Sequence, residues 1–174
     1  MARVLDMPRG PALGTAAASG STSTTDGDGC YVTTLQVDTT LGAIAGGANL
    51  GLGKLLIALP SGVIRVFGAY MSIAIKQTEA HITADTPDIG LGTTVASGVV
   101  ALLSGTAAFE NILTGQTAAD CDGTATVAHV ATDLLIASGD SHNVYLNVAD
   151  GWAASGDAGA RIYGTVSLLW AKMA

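Results

Sequence analysis

The amino-acid sequence predicts an all-β protein, an antiparallel β-sandwich that is jelly-roll-like, with an extended N-terminal arm and one or two short helical turns. Two observations lead to this class. Stretches of alternating apolar and polar residues, rich in Val, Ile and Thr, recur along the chain between turns of Asp, Gly, Ser and Pro. Strand and helix patterns do not alternate, which argues against a parallel sheet. A chain of 174 residues fits one domain with its own core.

The first 29 residues differ in composition from the rest of the chain. Residues 16–28 form a tract of Ala, Ser, Thr, Gly and Asp without hydrophobic periodicity. Such a tract buries too little apolar surface to offset the entropy lost on ordering. We therefore predict an extended or flexible arm over residues 1–29 and a β-sandwich domain over residues 30–174.

The first strands are predicted from alternation and from turn residues. Residues 30–37 alternate, whereas residues 41–53 contain five glycines and predict a closely packed loop. Residues 54–59 form a short apolar run that ends at a proline. The strongest signal lies at residues 63–76, which predict a strand of roughly 40 Å, buried on one face and partly covered on the other.

The second half of the chain continues the strand pattern. Residues 88–96 predict a strand in which Gly90 and Gly92 leave room for another backbone to approach closely. Residues 98–103 and 107–113 are the candidates for helical turns, the latter because apolar residues recur there at i, i+3 and i+4. Three further strands are predicted at residues 124–130, 143–149 and 160–173.

The composition excludes two classes of function. Charged residues make up 12% of the chain, about half the usual share, while Ala, Gly and Thr are abundant. The net charge is −7 and the seven basic residues are scattered, which disfavours nucleic acid as a partner. No apolar run approaches the roughly 20 residues of a membrane span, and charges interrupt residues 1–11 where a signal peptide would need an apolar stretch. We expect no membrane association and a product that stays in the cell that makes it.

Two short motifs resemble catalytic or nucleotide-binding elements and fail on inspection. The Gly-Leu-Gly-Lys of residues 51–54 resembles the end of a phosphate-binding loop, but Ala48 and Leu55 stand where Gly and Ser or Thr are required. Ser141 and His142 follow a Gly-Asp pair, as in certain lipases, but the partner Asp-x-x-His is missing. Adjacent strand residues also point to opposite faces, so a turn is the better interpretation.

The possible metal ligands are few and scattered. None of the three histidines has a second His or Cys at ligand spacing; they are His81, His129 and His142. Asp26 and Asp28 resemble the start of a calcium loop whose third ligand and closing Glu are absent, and whether this turn binds an ion stays open. Asp120 and Asp122 likewise resemble a fragment of a calcium loop that lacks the remaining ligands.

The remaining reactive residues do not assemble into a site either. The two glutamates, Glu79 and Glu110, form no evident catalytic pair. Cys30 and Cys121 belong to no metal-binding motif, and we expect free thiols, with a single disulfide as the alternative. The sequence therefore predicts no catalytic, cofactor-binding or metal site, no small-molecule substrate and no enzymatic activity.

Interaction with other protein is the interpretation that remains. A surface poor in charge and rich in small residues suits extensive contact, as in obligate oligomers. An arm that orders on binding adds a second means of attachment.

Four stretches carry a resemblance to a known group of proteins: residues 86–98 (TPDIGLGTTVASG), 103–115 (LSGTAAFENILTG), 147–152 (NVADGW) and 164–170 (GTVSLLW). In them the chain is similar to small structural proteins of tailed-bacteriophage virions, and most similar to capsid decoration, or cement, proteins. The resemblance spans roughly residues 30–174. It lies in the general residue types and short phrases of these stretches and not in a motif with defined chemistry, so it assigns no site residue.

The resemblance implies a homotrimer on the outside of an icosahedral capsid, bound to the major capsid protein, bridging neighbouring capsomers and resisting the pressure of internal DNA. It also implies a virion location after synthesis in the host cytoplasm. On the basis of this resemblance we expect residues 1–29 to lie along the capsid surface or along an adjacent trimer. The alternative is a tail-fibre or host-recognition β-sandwich module, for which Trp152 is the candidate sugar-stacking residue, although a loop anchor is its better interpretation.

Overall fold

The computed structural model describes residues 15–16, 22–27, 29–44, 50–99, 102–104, 108–149 and 158–173. These residues form strands and connecting turns and contain no helix. The strands, in chain order, are β1 (Thr15–Ala16), β2 (Thr22–Gly27), β3 (Cys30–Leu41), β4 (Gly51–Ala58), β5 (Ile64–Gln77), β6 (Asp88–Gly92), β7 (Ser97–Gly98), β8 (Leu113–Thr117), β9 (Asp122–Ile136), β10 (Asn143–Ala149) and β11 (Ala160–Lys172).

The strands form two antiparallel sheets. The first sheet has the order β1-β4-β10-β6-β8, with the short β7 also paired to β4, and the second has the order β2-β3-β11-β5-β9. Without β1, β2 and β7, each sheet has four strands, and the chain moves from one sheet to the other at nearly every connection between these eight. This is the strand order of a jelly roll, so the predicted antiparallel β-sandwich is confirmed.

The core lies between the two sheets and is filled from both. Alternate residues of β5 are buried on its inner side, and the inward residues of β3, β10 and β11 are buried against them. Trp170 is the largest fully buried side chain, and its ring stacks on Tyr31 with 4.5 Å between the ring centroids. The predicted burial of one face of the long strand is thus confirmed.

The observed strand ends differ from the predicted ones in three places. The strand β4 begins at Gly51, inside the predicted loop of residues 41–53. Gly53 is required there because a Cβ atom would come within 2.5 Å of the Asn147 and Val95 side chains. The strand β6 ends at Gly92, four residues before the predicted end. The strand β9 extends beyond the predicted residues 124–130 at both ends, where its outward residues are a mixture of small, polar and apolar types.

The predicted helical turns at residues 98–103 and 107–113 are wrong for the part of these segments that the structure describes. Ala108 has a φ of 59°, which is outside the right-handed helical region. The backbone groups bond to the neighbouring strand instead of to the next turn of a helix. Ile112 N donates to Leu91 O at 2.9 Å, and Ala108 O accepts from Thr93 N at 3.1 Å. Within the described residues no helix is long and apolar enough to cross a membrane.

The described part of the predicted N-terminal arm is extended and paired with the sandwich. The strand β2 pairs antiparallel with β3 over six residues, and β1 pairs with β4 over two. The rest of residues 1–28 lies outside the described residues, so the arm's predicted flexibility and its path along a shell remain predictions. What the structure adds is that this segment contributes an edge strand to each sheet.

Candidate functional site

The two outer faces of the sandwich differ because the chain covers one of them. The described residues of the connection from β6 to β8 lie over the outer face of the first sheet. They are residues 93–99, 102–104 and 108–112, and we call them the cover segment. A Cβ atom on Gly90 would lie 2.7 Å from Glu110 Cβ, and one on Gly92 would overlap the backbone of Ala108 and Phe109. The prediction that these two glycines admit another backbone is confirmed.

One buried side chain, Asn147 of β10, fixes the cover segment in place. Its Nδ2 atom donates to Thr94 O at 2.9 Å and to Phe109 O at 2.7 Å, and its Oδ1 atom accepts from Ala96 N at 2.9 Å. Asn147 is fully buried, and a small second apolar cluster around Phe109 and Leu103 packs beside it. Because unpaired buried amides are costly, this set of bonds ties the two ends of the cover segment to β10.

The outer face of the second sheet has no such cover among the described residues. We call it the open face. Its outward positions are small, hydroxylated or apolar, and they include five large apolar side chains that are 40–60% exposed: Val32, Tyr70, Val127, Leu135 and Leu169. They come from all four long strands of the sheet, β3, β5, β9 and β11. Contiguous exposed apolar surface of this kind marks sites of protein contact.

A shallow hollow of about 230 Å³ lies near the centre of the open face. Gly68 lies at its floor, while Val32, Tyr70 and Leu169 stand around it. A side chain cannot fill the floor because a Cβ atom on Gly68 would lie 2.7 Å from Val130 O. The hollow can therefore receive an apolar side chain from another molecule.

Ion pairs occupy the two ends of the open face. Arg65 Nε lies 2.6 Å from one oxygen of Asp133, and its Nη2 atom lies 2.8 Å from the other. Arg161 makes the same two-point contact with Asp38, both bonds being 2.8 Å long. Hydrogen bonding to these guanidinium groups holds the pKa of each carboxyl below its ordinary value. The charges at the ends of the face are thus neutralised within the chain, and its centre carries hydroxyl and apolar groups.

The residues of the nucleophile-like motif lie in the turn between β9 and β10 and bind different partners. His142 Nε2 is 2.6 Å from Gly62 O, and Ser141 Oγ accepts from Asn143 N at 3.4 Å. Ser141 borders a cleft of about 250 Å³ between this turn and the cover segment, where Thr93 and Asn111 are also found, and His142 is not among the residues that line it.

Residues 51–54, the phosphate-loop-like motif, form part of the extended strand β4. A phosphate loop instead joins a strand to a helix, where its backbone N–H groups converge on the phosphates. The strand conformation agrees with the sequence-based rejection of a nucleotide site here.

The remaining candidate ligands do not converge. No group of three or more His, Cys, Asp or Glu side chains that could hold a metal occurs in the part of the chain that the structure describes. Asp26 lies in β2, and Asp28 and Trp152 are outside the described residues. Glu110 is a buried residue of the cover segment, whereas Glu79 is exposed in the turn that follows β5.

Both cysteines are free thiols in the structure, but their surroundings differ. Cys30 is exposed at the start of β3, and Cys121 is buried just before β9. Burial, together with the nearby carboxylates Asp85, Asp120 and Asp122, raises the pKa of the Cys121 thiol to about 12. A thiol with this pKa stays protonated at neutral pH, where it behaves as a small core residue.

Sequence reasoning predicted a contact surface but not its location. The signal was present in the strand patterns, because outward positions of β3, β5 and β11 carry Val32, Tyr70 and Leu169 where a solvent-facing strand usually carries charge. What the sequence alone does not give is the register, which brings these residues together around Gly68.

The fold and its surface define the class: a jelly-roll β-sandwich in which the described chain covers one outer face and leaves the other exposed. Among solved structures, a chain described as "Cyanophage Pam1 capsid asymmetric unit" is similar in fold, with a TM-score of 0.50 and 18% sequence identity. The match covers 91% of this chain and 97% of that chain. No protein-family model matches the sequence, and no curated protein matches it. At this level of identity the similarity shows a shared fold.

Proposed function

We propose that this chain is a structural protein of a bacteriophage virion, which attaches as a trimer to the outside of an icosahedral capsid and stabilises it by bridging neighbouring capsomers. The observation that carries the proposal is the open face on a fold shared with a chain of a cyanophage capsid. Nearly the whole of both chains takes part in that similarity, so it concerns the entire domain and not a common fragment.

The open face has the size and chemistry of an interface with another protein. Four long strands spaced about 4.8 Å apart and roughly 40 Å long present about 800 Å², which is close to one partner's share of a stable interface. Its centre is depleted in charge and its ends carry paired ions, the distribution found in stable contacts. We infer that this face lies against the major capsid protein.

The stabilising effect would come from the many copies of the protein bound to each capsid. Each bound copy adds contact area that expansion of the shell must break, and a trimer that touches several capsomers at once converts weak single contacts into strong overall binding. This mechanism is mechanical and requires no catalytic residue, so replacing Ser141 or His142 with Ala leaves capsid binding unchanged.

A matched pair of variants tests the role of the open face. Leu169→Glu places a charge at the hollow, and Val95→Glu places one at a position of equal exposure, 40% against 41%, on the cover segment. In cryo-electron microscopy of particles lacking this protein and supplied with each variant, Leu169→Glu should lose most of its density and Val95→Glu should keep it. The proposed face is wrong if both variants bind alike.

Copy number tests the proposed location. Quantitative mass spectrometry of purified virions should give hundreds of copies per particle for a decoration protein. A few to tens of copies would instead place the protein in a tail fibre or host-recognition device, and absence from the virion would overturn the structural role.

A further inference from the structure

The strand β9 forms an edge of the second sheet, paired with β5 on one side and with no described strand on the other. At 15 residues it is the longest strand described. Long edges are normally protected by prolines, lysines or inward charges, because free backbone groups invite pairing with another chain. The strand contains no Pro and no Lys, and of its two carboxylates Asp122 is its first residue while Asp133 is bound by Arg65.

The strand keeps a regular alternation over most of its length in spite of two irregularities in its pairing. The register against β5 shifts between Val66 and Gly68, opposite residues 131–134, and between Ala74 and Lys76, opposite residues 122–125. Exposed and covered side chains nevertheless alternate without interruption from residue 125 to residue 136. One set of side chains therefore points outward along the whole edge.

The outward side chains of β9 are self-complementary. Their order is Val127, His129, Ala131, Asp133 and Leu135, and all five are exposed. In an antiparallel pair of two β9 strands with Ala131 opposite Ala131, each His129 lies opposite Asp133 and each Val127 lies opposite Leu135. The pairing joins a base with an acid and two apolar side chains that are 60% and 59% exposed in the single chain.

Two other registers, with an outward residue at the axis, bring like groups together. A two-fold axis perpendicular to the sheet keeps outward residues opposite outward residues, so it passes midway between the two copies of one residue. An axis at His129 places two imidazoles face to face, and one at Asp133 places two carboxylates face to face, which is destabilising. An axis at Ala131 places the smallest side chain of the set at the point of closest approach.

We propose that two copies of this chain pair antiparallel through β9 about a two-fold axis at Ala131, joining their second sheets into one continuous sheet. Asp133 can take part while bound to Arg65, since a carboxylate has about four acceptor positions and Arg65 occupies two. The pairing places the two open faces side by side. It rests on the strand edge and is independent of the proposed capsid role.

A charge at the axis provides the first test. Ala131→Lys would place two ammonium groups opposite each other. Gln36→Lys adds the same charge on β3, which β11 and β5 separate from β9 in the sheet. Light scattering should show that Ala131→Lys has half the mass of the wild-type assembly and that Gln36→Lys keeps the wild-type mass. This halving is expected for pairs of single chains. If each chain also belongs to a trimer, every trimer has three β9 edges, and Ala131→Lys reduces the larger wild-type assembly to separate trimers, so the mass of the variant reports the threefold association separately.

A cross-link provides a second test that does not depend on disrupting the fold. In a Cys30→Ser background, Ala131→Cys brings two thiols onto directly opposite residues, whose Cα atoms lie about 4.5–5.5 Å apart in antiparallel strands, within disulfide range. Ala125→Cys, also exposed on β9, lies opposite residue 137 of the second copy and serves as the control.

Mild oxidation should link most of the Ala131→Cys chains into dimers on a non-reducing gel and leave the Ala125→Cys chains single. Equal cross-linking of both variants, or none in Ala131→Cys, would overturn the pairing. So would a wild-type protein that has the same mass as Ala131→Lys at all concentrations.

Discussion

The indole Nε1 atom of Trp170 donates a 3.0 Å hydrogen bond to Thr33 Oγ1, and both side chains are buried. Thr33 lies near the start of β3 and Trp170 near the end of β11, so the bond joins the first and last long strands of the described chain. Tyr31 stacks on the same indole and closes this end of the core. The contact is side chain to side chain between strands that are also paired through their backbones.

Thr33→Val should lower the free energy of unfolding by about 1–3 kcal/mol, because the shape is kept while the Trp170 N–H loses its acceptor in the core. Thr40→Val, at an exposed position on the outward side of the same strand, should change it by less than about 0.5 kcal/mol. Urea unfolding followed by tryptophan fluorescence measures both. Equal effects at the two positions would show that the Trp170 bond adds nothing.

Gly92→Ala should be strongly destabilising, by several kcal/mol, because the new methyl group would overlap the backbone of Ala108 and Phe109 and force the cover segment away. Gly139→Ala is the matched control, since nothing lies within 4 Å of its Cβ position. The control should be neutral or stabilising by up to about 1 kcal/mol. Thermal unfolding of the two variants compares them directly.

Asn147→Leu should loosen the cover segment in particular. The change removes three hydrogen bonds and leaves Ala96 N, Thr94 O and Phe109 O without the amide that binds them. We expect a loss of about 2–5 kcal/mol, together with faster hydrogen exchange at Ala96 N. Asn143→Ala, which removes a bond to Tyr145 on the same strand, should leave that exchange unchanged.

The Arg65–Asp133 pair should contribute an acid-dependent part of the stability. The guanidinium group lowers the pKa of Asp133 in the folded state below its ordinary 3.8, so the contribution is present above that pH and disappears as the pH falls through the folded-state pKa. Asp133→Asn should therefore flatten the dependence of unfolding free energy on pH below about 4. Titrations with urea at pH 5, 3 and 2 measure the slope, and identical slopes in variant and wild type would contradict the expectation.

The two thiols should differ in reactivity. Iodoacetamide at pH 8 should modify Cys30 in the folded protein and leave Cys121 untouched, because a buried thiol with a pKa of about 12 is not a thiolate at that pH. Both should react after unfolding in urea. Mass spectrometry of the intact chain counts the modifications, and rapid labelling of Cys121 in the native state would contradict its burial.

The sequence predicts the strands with strong alternation and misses those without it. The strands β5, β10 and β11 agree with prediction to within one residue at each end, because their inward positions carry large apolar side chains. The short β8 begins at Leu113, the last residue of a predicted helical turn. Ile112 and Leu113 stand three and four residues after Phe109, as in a helix, but their backbones bond and pair with β6 instead. Local periodicity does not distinguish a turn of helix from a strand this short.

The composition predicts that the chain has a surface for contact with other protein, but it does not predict where on the fold that surface lies. The open face depends on which side chains become neighbours, and that is determined by pairings such as Val32 with Leu169 and Gly68 with Ala131, which are far apart in the chain. The fold of the cover segment depends equally on Asn147, a single polar residue within an apolar strand. Such tertiary contacts leave no periodic signal in the sequence.

The pairing of β3 with β11 also determines when the second sheet can form during synthesis. About 130 residues separate the starts of the two strands, and at 5–20 residues per second their translation takes roughly 7–26 s. During that time β3 can pair with β2 but lacks its neighbour on the other side. The second sheet is thus completed only after β11 has been synthesised, which delays any association through the open face until that point in translation.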